Sequence, residues 1–184
     1  MGSYKAVITL LLAGVANCSE LKLVHPTQLK SLFHGEIYGK EEEGVITSSL
    51  GNYGDFNWGN SIRGRVHYPT KNQDGCREFT DDDFNGEHLE DARKHRHAPI
   101  ILVDRGNCKF THKSKHVMDY GGVMAIIVDN KKNEKATNLI MADDGTGNAV
   151  KIPSFLIGYI DGTLLKDAIF ETEEIEAEDH DEKN

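Results

Sequence analysis

The sequence reads as a mixed α/β chain, and three features carry that reading. From Ile62 to Tyr68 apolar and polar residues alternate, as in a half-buried strand, and Pro69 ends the run. Ile100-Ile101-Leu102-Val103 is continuously apolar and mostly β-branched, which suits a strand covered on both faces, and Val123 to Val128 repeats the pattern. Between these two runs the spacing becomes helical: Phe110, Ser114, Val117, Met118 and Gly121 share one face of a helix over Thr111 to Tyr120, with Gly121-Gly122 as its stop. Strand, helix and strand in succession form a βαβ unit with a right-handed crossover. A sheet with at least two parallel strands and a few short helices is therefore expected.

The remaining elements follow in chain order. Lys5 is the one charge ahead of an apolar and small-residue run from Ala6 to Ala16, and the polar pair Ser19-Glu20 follows. A positive end, an apolar stretch too short to cross a bilayer and a small-residue exit make a secretory leader. Residues 1–18 are thus expected to be a signal peptide, cut after Ala16 or after Cys18; the competing use of such a run is a buried strand or helix. No later apolar run is longer than Val123 to Val128, so no membrane span is expected. Pro26 suits a helix start over Pro26 to Lys30. Gly51 to Asn60, GNYGDFNWGN, reads as a glycine-rich loop carrying Tyr53, Phe56 and Trp58. Residues 70–98 are polar and charged, a long surface excursion that holds Cys76. Asp104-Arg105-Gly106-Asn107 is a tight polar turn. A further strand is expected at Ile152 to Ile157, and Asp161-Gly162-Thr163 opens a last helix whose apolar side is Leu164, Leu165, Ala168 and Ile169.

Charge and cysteine count narrow the class. The formal net charge is −9, and residues 171–184 hold eight acids and one lysine, so about −2 is left for the rest of the chain. The tail 171–184 is expected to be a solvated, disordered acidic segment. The nearly neutral body offers no basic surface for nucleic acid, so no nucleic-acid partner is expected. The chain ends His180-Asp181-Glu182-Lys183-Asn184, which lacks the terminal Leu of an endoplasmic-reticulum retrieval signal. Of the three cysteines, Cys18 leaves with the leader if cleavage follows it, and the even pair Cys76 and Cys108 remains. An oxidising compartment would join that pair; cleavage after Ala16 would leave Cys18 as a spare thiol, and two unpaired buried thiols are the alternative.

The stretch ILVDRGNCKFTHKSKHVMDYGGVMAIIVDN resembles the central motif of the protease-associated (PA) domain family, with Arg105, Gly106, Cys108, Phe110, Lys113, Gly121, Gly122, Asp129 and Asn130 as the matching residues. Downstream, KIPSFLIGYIDGTLLKDAI also fits, through Ile152-Pro153-Ser154 and Asp161-Gly162. Upstream, SLGNYGDFNWGNSIRGRVHYP and NQDGCREF most resemble the PA domain of plant-type vacuolar sorting receptors, including the cysteine that pairs with the one in RG-x-C-x-F. The resemblance runs from about Leu23 to Ala168 and implies one PA domain over residues 19–170, a β-sheet or open-barrel core flanked by short helices, and a Cys76–Cys108 disulfide. Sorting receptors continue into cysteine-rich EGF-like modules, a transmembrane helix and a cytosolic tail. The expectation for this chain is a PA-only protein or a truncated product.

The resemblance also implies a non-catalytic module that binds peptides or proteins in the secretory lumen, secreted or held in the vacuolar or endomembrane system, with no cofactor. In agreement, neither H-E-x-x-H nor G-x-S-x-G occurs, so no catalytic residues are assigned. A peptide ligand would lie between the Arg105 turn and the glycine-rich loop. Arg105 would present its guanidinium fork to a carboxylate or carbonyl, or else make a structural ion pair with Asp104 or Asp129. The backbone N–H groups around Gly106-Asn107, and those of Gly51, Asn52 and Gly54, would pair with the ligand's main chain. Tyr53 and Trp58 would add apolar contact, unless they pack in the core as Phe56 is expected to. His112 and His116, four apart on the helix, could reach one metal ion, and His95 and His97 lie upstream; with no further ligands named by the sequence, no metal site is assigned. The alternatives are an accessory PA protein packed against a partner enzyme and, remotely, a hydrolase.

Overall fold

The computed structural model describes residues 7–11, 20–25, 27–37, 40–55, 61–85, 89, 98–132 and 135–181. In chain order the strands are β1 (Val7–Leu11), β2 (Glu20–His25), β3 (His34–Ile37), β4 (Lys40–Glu43), β5 (Val45–Ile46), β6 (Ser48–Leu50), β7 (Ile62–His67), β8 (Ala98–Asp104), β9 (Met124–Val128) and β10 (Ser154–Ile157). Two α-helices join them, α1 (Phe110–Asp119) and α2 (Tyr159–Asp181), with 3₁₀ turns at Thr27–Leu32, Asp81–Phe84, Ala136–Asn138 and Gly147–Ala149. Eight strands form one mixed sheet in the order β5-β2-β1-β7-β8-β9-β10-β6, and β3 and β4 pair separately. The pairs β7–β8, β8–β9 and β9–β10 are parallel, so the expected βαβ unit is β8-α1-β9 at the centre of the sheet.

Period-2 alternation places the core on both faces of these parallel strands. Ile100 and Leu102 of β8, Met124, Ile126 and Val128 of β9, and Phe155 and Ile157 of β10 join one cluster, with Leu21, Leu23, Phe33 and Ile46 and with Leu165 and Ile169 of α2. Their neighbours Ile101, Val103, Ala125, Ile127 and Leu156 join the other, with Val117 of α1 and Tyr53, Phe79, Phe84 and Met141 from loops. That is why these strands are apolar at every position rather than at alternate ones. Helix α2 lies close on β9: a Cβ built on Gly162 would sit 2.1 Å from Val128 Cγ1. Among the described residues no helix is long and apolar enough to cross a membrane.

Two segments take regular structure where the sequence suggested a leader and a disordered tail. Val7–Leu11, within the stretch read as a leader, forms β1 between β2 and β7, antiparallel to both; residues 1–6 and 12–18 lie outside the described residues. The apolar VITLL run that suits a leader also suits a strand, and here its backbone groups find partners on two sides. The segment read as a disordered acidic tail is helical through Asp181, the continuation of α2. It contains no Gly or Pro and is rich in Glu, a good helix former that propagates a helix already nucleated on the sheet.

Candidate functional site

The Arg105 turn sits where β8 ends and α1 begins, at the carboxyl edge of the parallel strands. The N–H of Arg105 donates to Val128 O at 2.9 Å, and the N–H of Cys108 donates to Gly106 O at 2.7 Å. Gly106 and Asn107 take φ of 134° and 61°. A Cβ on Gly106 would meet nothing nearer than Asn130 Nδ2 at 3.9 Å, so glycine is needed here for its backbone angle rather than for space. Asn107 is exposed, and among the described residues the N–H groups of Gly106 and Asn107 make no hydrogen bond.

The turn is held from three directions. Cys76 and Cys108 form a disulfide with Cα atoms 5.7 Å apart, tying the polar excursion to the turn. Lys113 of α1 is fully buried; its Nζ donates to Asp74 O, to Gly106 O at 2.7 Å, and lies 3.2 Å from Cys76 Sγ. Burial pushes the Lys113 ammonium down from its ordinary range, with Asp74 and Asp104 opposing that effect. Asp74 also accepts the N–H of Cys76 at 3.1 Å and the Asn107 side-chain amide at 2.7 Å, and the latter bond leads in holding its carboxyl below the usual range. On the third side, Arg105 donates to Asp129 Oδ1 at 2.7 Å, and its guanidinium lies 5.7 Å from the centre of the Phe110 ring. The Asp129 side chain is fully buried, and its Oδ2 has no hydrogen-bond partner among the described residues. Of the two structural partners considered for Arg105, Asp129 is the one it meets; Asp104 instead accepts from Tyr68 OH and pairs with Lys166.

The glycine-rich loop is arranged differently from expectation. The N–H of Gly51 donates to Ser154 O and that of Asn52 to Met141 O, so both are engaged within the fold and not offered to a ligand's main chain. Tyr53 is buried; its hydroxyl bonds Ser114 Oγ at 3.0 Å, Ser154 Oγ donates to Ser114 Oγ at 2.8 Å, and Ser114 donates to Phe110 O. This corrects the apolar ligand contact expected of Tyr53 to a core role, because the ring fills space between α1 and the Met141 loop while its oxygen finds a buried partner. Gly54, with φ of 86°, is pressed against Ile152 O, where a Cβ would come within 2.3 Å. Trp58, Phe56, His95 and His97 lie outside the described residues.

The 141–147 loop bridges the two regions. Asn52 Oδ1 accepts the N–H of Asp143 at 2.5 Å, while Asp144 accepts from Thr111 and pairs with Lys109 at 3.1 Å. The Thr146 hydroxyl, with smaller help from Lys109 and Thr111, holds the Asp144 carboxyl well below the usual range. His112 and His116 stack edge to face with ring centres 4.9 Å apart, and His116 Nδ1 lies 2.9 Å from Gly75 O. Among the described residues no group of three or more His, Cys, Asp or Glu is arranged to hold a metal ion. Sequence reasoning matched Lys113 to a motif but missed its part in the site. The signal was there: Lys113 lies four before Val117 and three after Phe110, on the inward face of α1.

Comparison with known proteins shows the family of the chain. The PA domain family model matches residues 62–165. Vacuolar-sorting receptor 2 of Arabidopsis thaliana is 31% identical over 171 residues, 89% of this chain and 25% of the receptor. The human ER degradation-enhancing alpha-mannosidase-like protein 3 is 29% identical over 137 residues, 72% of this chain and 13% of that protein. A solved zinc aminopeptidase from Bacillus subtilis superposes with a TM-score of 0.41 at 17% identity, over 89% of this chain and 30% of that one. The chain thus spans about a quarter of the receptor it resembles.

Proposed function

The chain belongs to the PA domain family, and on that premise we propose that it is a non-catalytic module of the secretory pathway that binds peptides or proteins through the Arg105 turn. An analogy is the cargo recognition implied by the name of the vacuolar-sorting receptors, with residues 19–170 as the binding domain. The observation that carries the reading is the turn itself. It is a hydrogen-bonding loop, exposed at Asn107, whose shape is fixed by the disulfide, the buried ammonium of Lys113 and the buried carboxylate of Asp129. A ligand then meets donors that lose little freedom on binding. Arg105 contributes the guanidinium nitrogens not directed at Asp129, and Gly106 and Asn107 contribute backbone N–H groups, so an extended peptide's carbonyls and carboxylate are the chemistry that fits. Asn52 borders this surface through the 141–147 loop, its own N–H taken by Met141 O.

Selection from a phage-displayed peptide library on immobilised protein tests the reading. Enriched peptides should bind the Arg105→Ala variant at least about tenfold more weakly, the loss expected for one charge-assisted contact of roughly 1.5 kcal/mol. Undiminished binding by that variant would overturn the role given to the turn. The similarity to an α-mannosidase-like protein favours a second reading, in which the domain packs against a partner enzyme. Co-purification of one large enzyme, insensitive to Arg105→Ala, would select it. Turnover of fluorogenic peptidase or esterase substrates would instead support a hydrolase.

A further inference from the structure

The Lys113 ammonium is hydrogen-bonded to two carbonyls and to a sulfur, and that third contact has a chemical consequence. In the closed bridge Cys76 Sγ is a neutral, weak acceptor. Once the S–S bond breaks toward Cys76, the same sulfur carries a full negative charge 3.2 Å from a buried cation that is already in position. Among the described residues no side-chain cation is aimed at Cys108, since its neighbour Lys109 pairs with Asp144 and Arg105 with Asp129; what favours its thiolate is the partial charge at the N-terminus of α1, one residue on, against the full charge beside Cys76. Both cysteines are partly buried and neither is sealed in the core.

We propose that the Cys76–Cys108 bridge is a thiol–disulfide exchange site in which Lys113 makes Cys76 the leaving sulfur and directs a thiol nucleophile to Cys108. The co-reactant is a dithiol. Its thiolate attacks Cys108 Sγ, the Cys76–Cys108 bond breaks, and the electron pair leaves on Cys76 as a thiolate beside Lys113. The dithiol's second thiol loses its proton and attacks the mixed disulfide, and Cys108 departs and takes up a proton. Two electrons have then passed to the protein, the dithiol has become a disulfide, and one proton has gone to solvent for the thiolate kept on Cys76.

The charged groups around Cys76 work in both directions. Lys113 from α1 favours the thiolate, and so does His116 when protonated, held against Gly75 O. Asp74 from the same loop opposes it, but its two oxygens are directed at the N–H of Cys76 and the amide of Asn107. Asp104 acts at one remove, as a counter-charge to Lys113, and Arg77 is directed at Asp83. The buried ammonium is the charge aimed at the sulfur, and it decides the sign. The proposal does not depend on what the turn binds.

The test is made on the full chain after reduction with dithiothreitol. Alkylation by iodoacetamide is followed against pH at each cysteine by mass spectrometry. The midpoint for Cys76 should fall about one unit or more below that for Cys108. With oxidised protein and glutathione as probe, the trapped mixed disulfide should map to Cys108. Lys113→Met should abolish the difference in midpoints and slow reduction by dithiothreitol, while Lys113→Arg should preserve both. Equal midpoints in the reduced wild type, including those of a chain that unfolds on reduction, would overturn the proposal, as would trapping on Cys76. The wild-type comparison decides the matter even where Lys113→Met fails to fold.

Discussion

Replacing both cysteines by serine should lower stability by an amount set by the chain they enclose. The bridge spans 32 residues in sequence, and in the chain-entropy account a loop of that length restricts the unfolded state by about 12 cal/mol/K, or roughly 3.7 kcal/mol at 298 K. Serine is the informative choice because its hydroxyl still offers Lys113 an acceptor, so the loss reports the cross-link rather than an orphaned buried ammonium. For a chain of this size the change corresponds to a fall in Tm of about 7–15 °C, a large share of a net stability of roughly 5–15 kcal/mol. Thermal and urea unfolding, followed by circular dichroism on wild type and the Cys76→Ser/Cys108→Ser variant, give the comparison. A fall below about 3 °C, with an unchanged m-value, would refute the argument that the bridge restrains the unfolded chain.

Four further outcomes are expected. Asp129→Asn should destabilise by about 1–3 kcal/mol in urea melts, reduced from the cost of breaking a fully buried pair because Arg105 keeps some access to water. The folded state holds the Asp74 carboxyl below its unfolded value, so its contribution is complete above about pH 4 and is lost as pH falls through the lower, folded value; Asn107→Ala should raise that carboxyl's midpoint, read by carboxyl NMR. Gly162→Ala should cost about 1–3 kcal/mol despite alanine's better helix propensity, because the added methyl meets Val128 at the α2–β9 contact. N-terminal sequencing of the secreted protein decides between leader and strand: a start at Asn17 or Ser19 removes β1, whereas retention of Val7–Leu11 keeps it in the sheet.

The centre of the fold was legible because its signals are physical and local. The all-apolar runs of β8 and β9, the helical face of α1 between them and the alternation of β7 each depend on a single period, and burial follows it. The short strands were not legible. β5 has two residues and β6 three, and β4 is Lys-Glu-Glu-Glu and exposed, so none offers a period to read. Val7–Leu11 is ambiguous for the opposite reason, since an apolar run satisfies a leader and a strand equally. Within the site, the Arg105 turn was visible in its Gly-Asn pair, and Asp129 stood among the named partners. Tyr53 and the N–H groups of Gly51 and Asn52 were assigned outward because a glycine-rich loop gives no sign of which donors the fold itself consumes. Lys113 was overlooked because lysine is rarely buried without partners, and its partners here are backbone carbonyls, one in the turn before its own helix and one in the distant Asp74 loop.

The most direct measurement of the binding account is an NMR titration of the labelled protein with a library-selected peptide. Amide shifts should concentrate at Gly106, Asn107 and Cys108, with lesser changes at Asn52 and Gly54, and should disappear in Arg105→Ala at matched concentrations. Shifts confined to a surface away from the turn, or unchanged in Arg105→Ala, would contradict it.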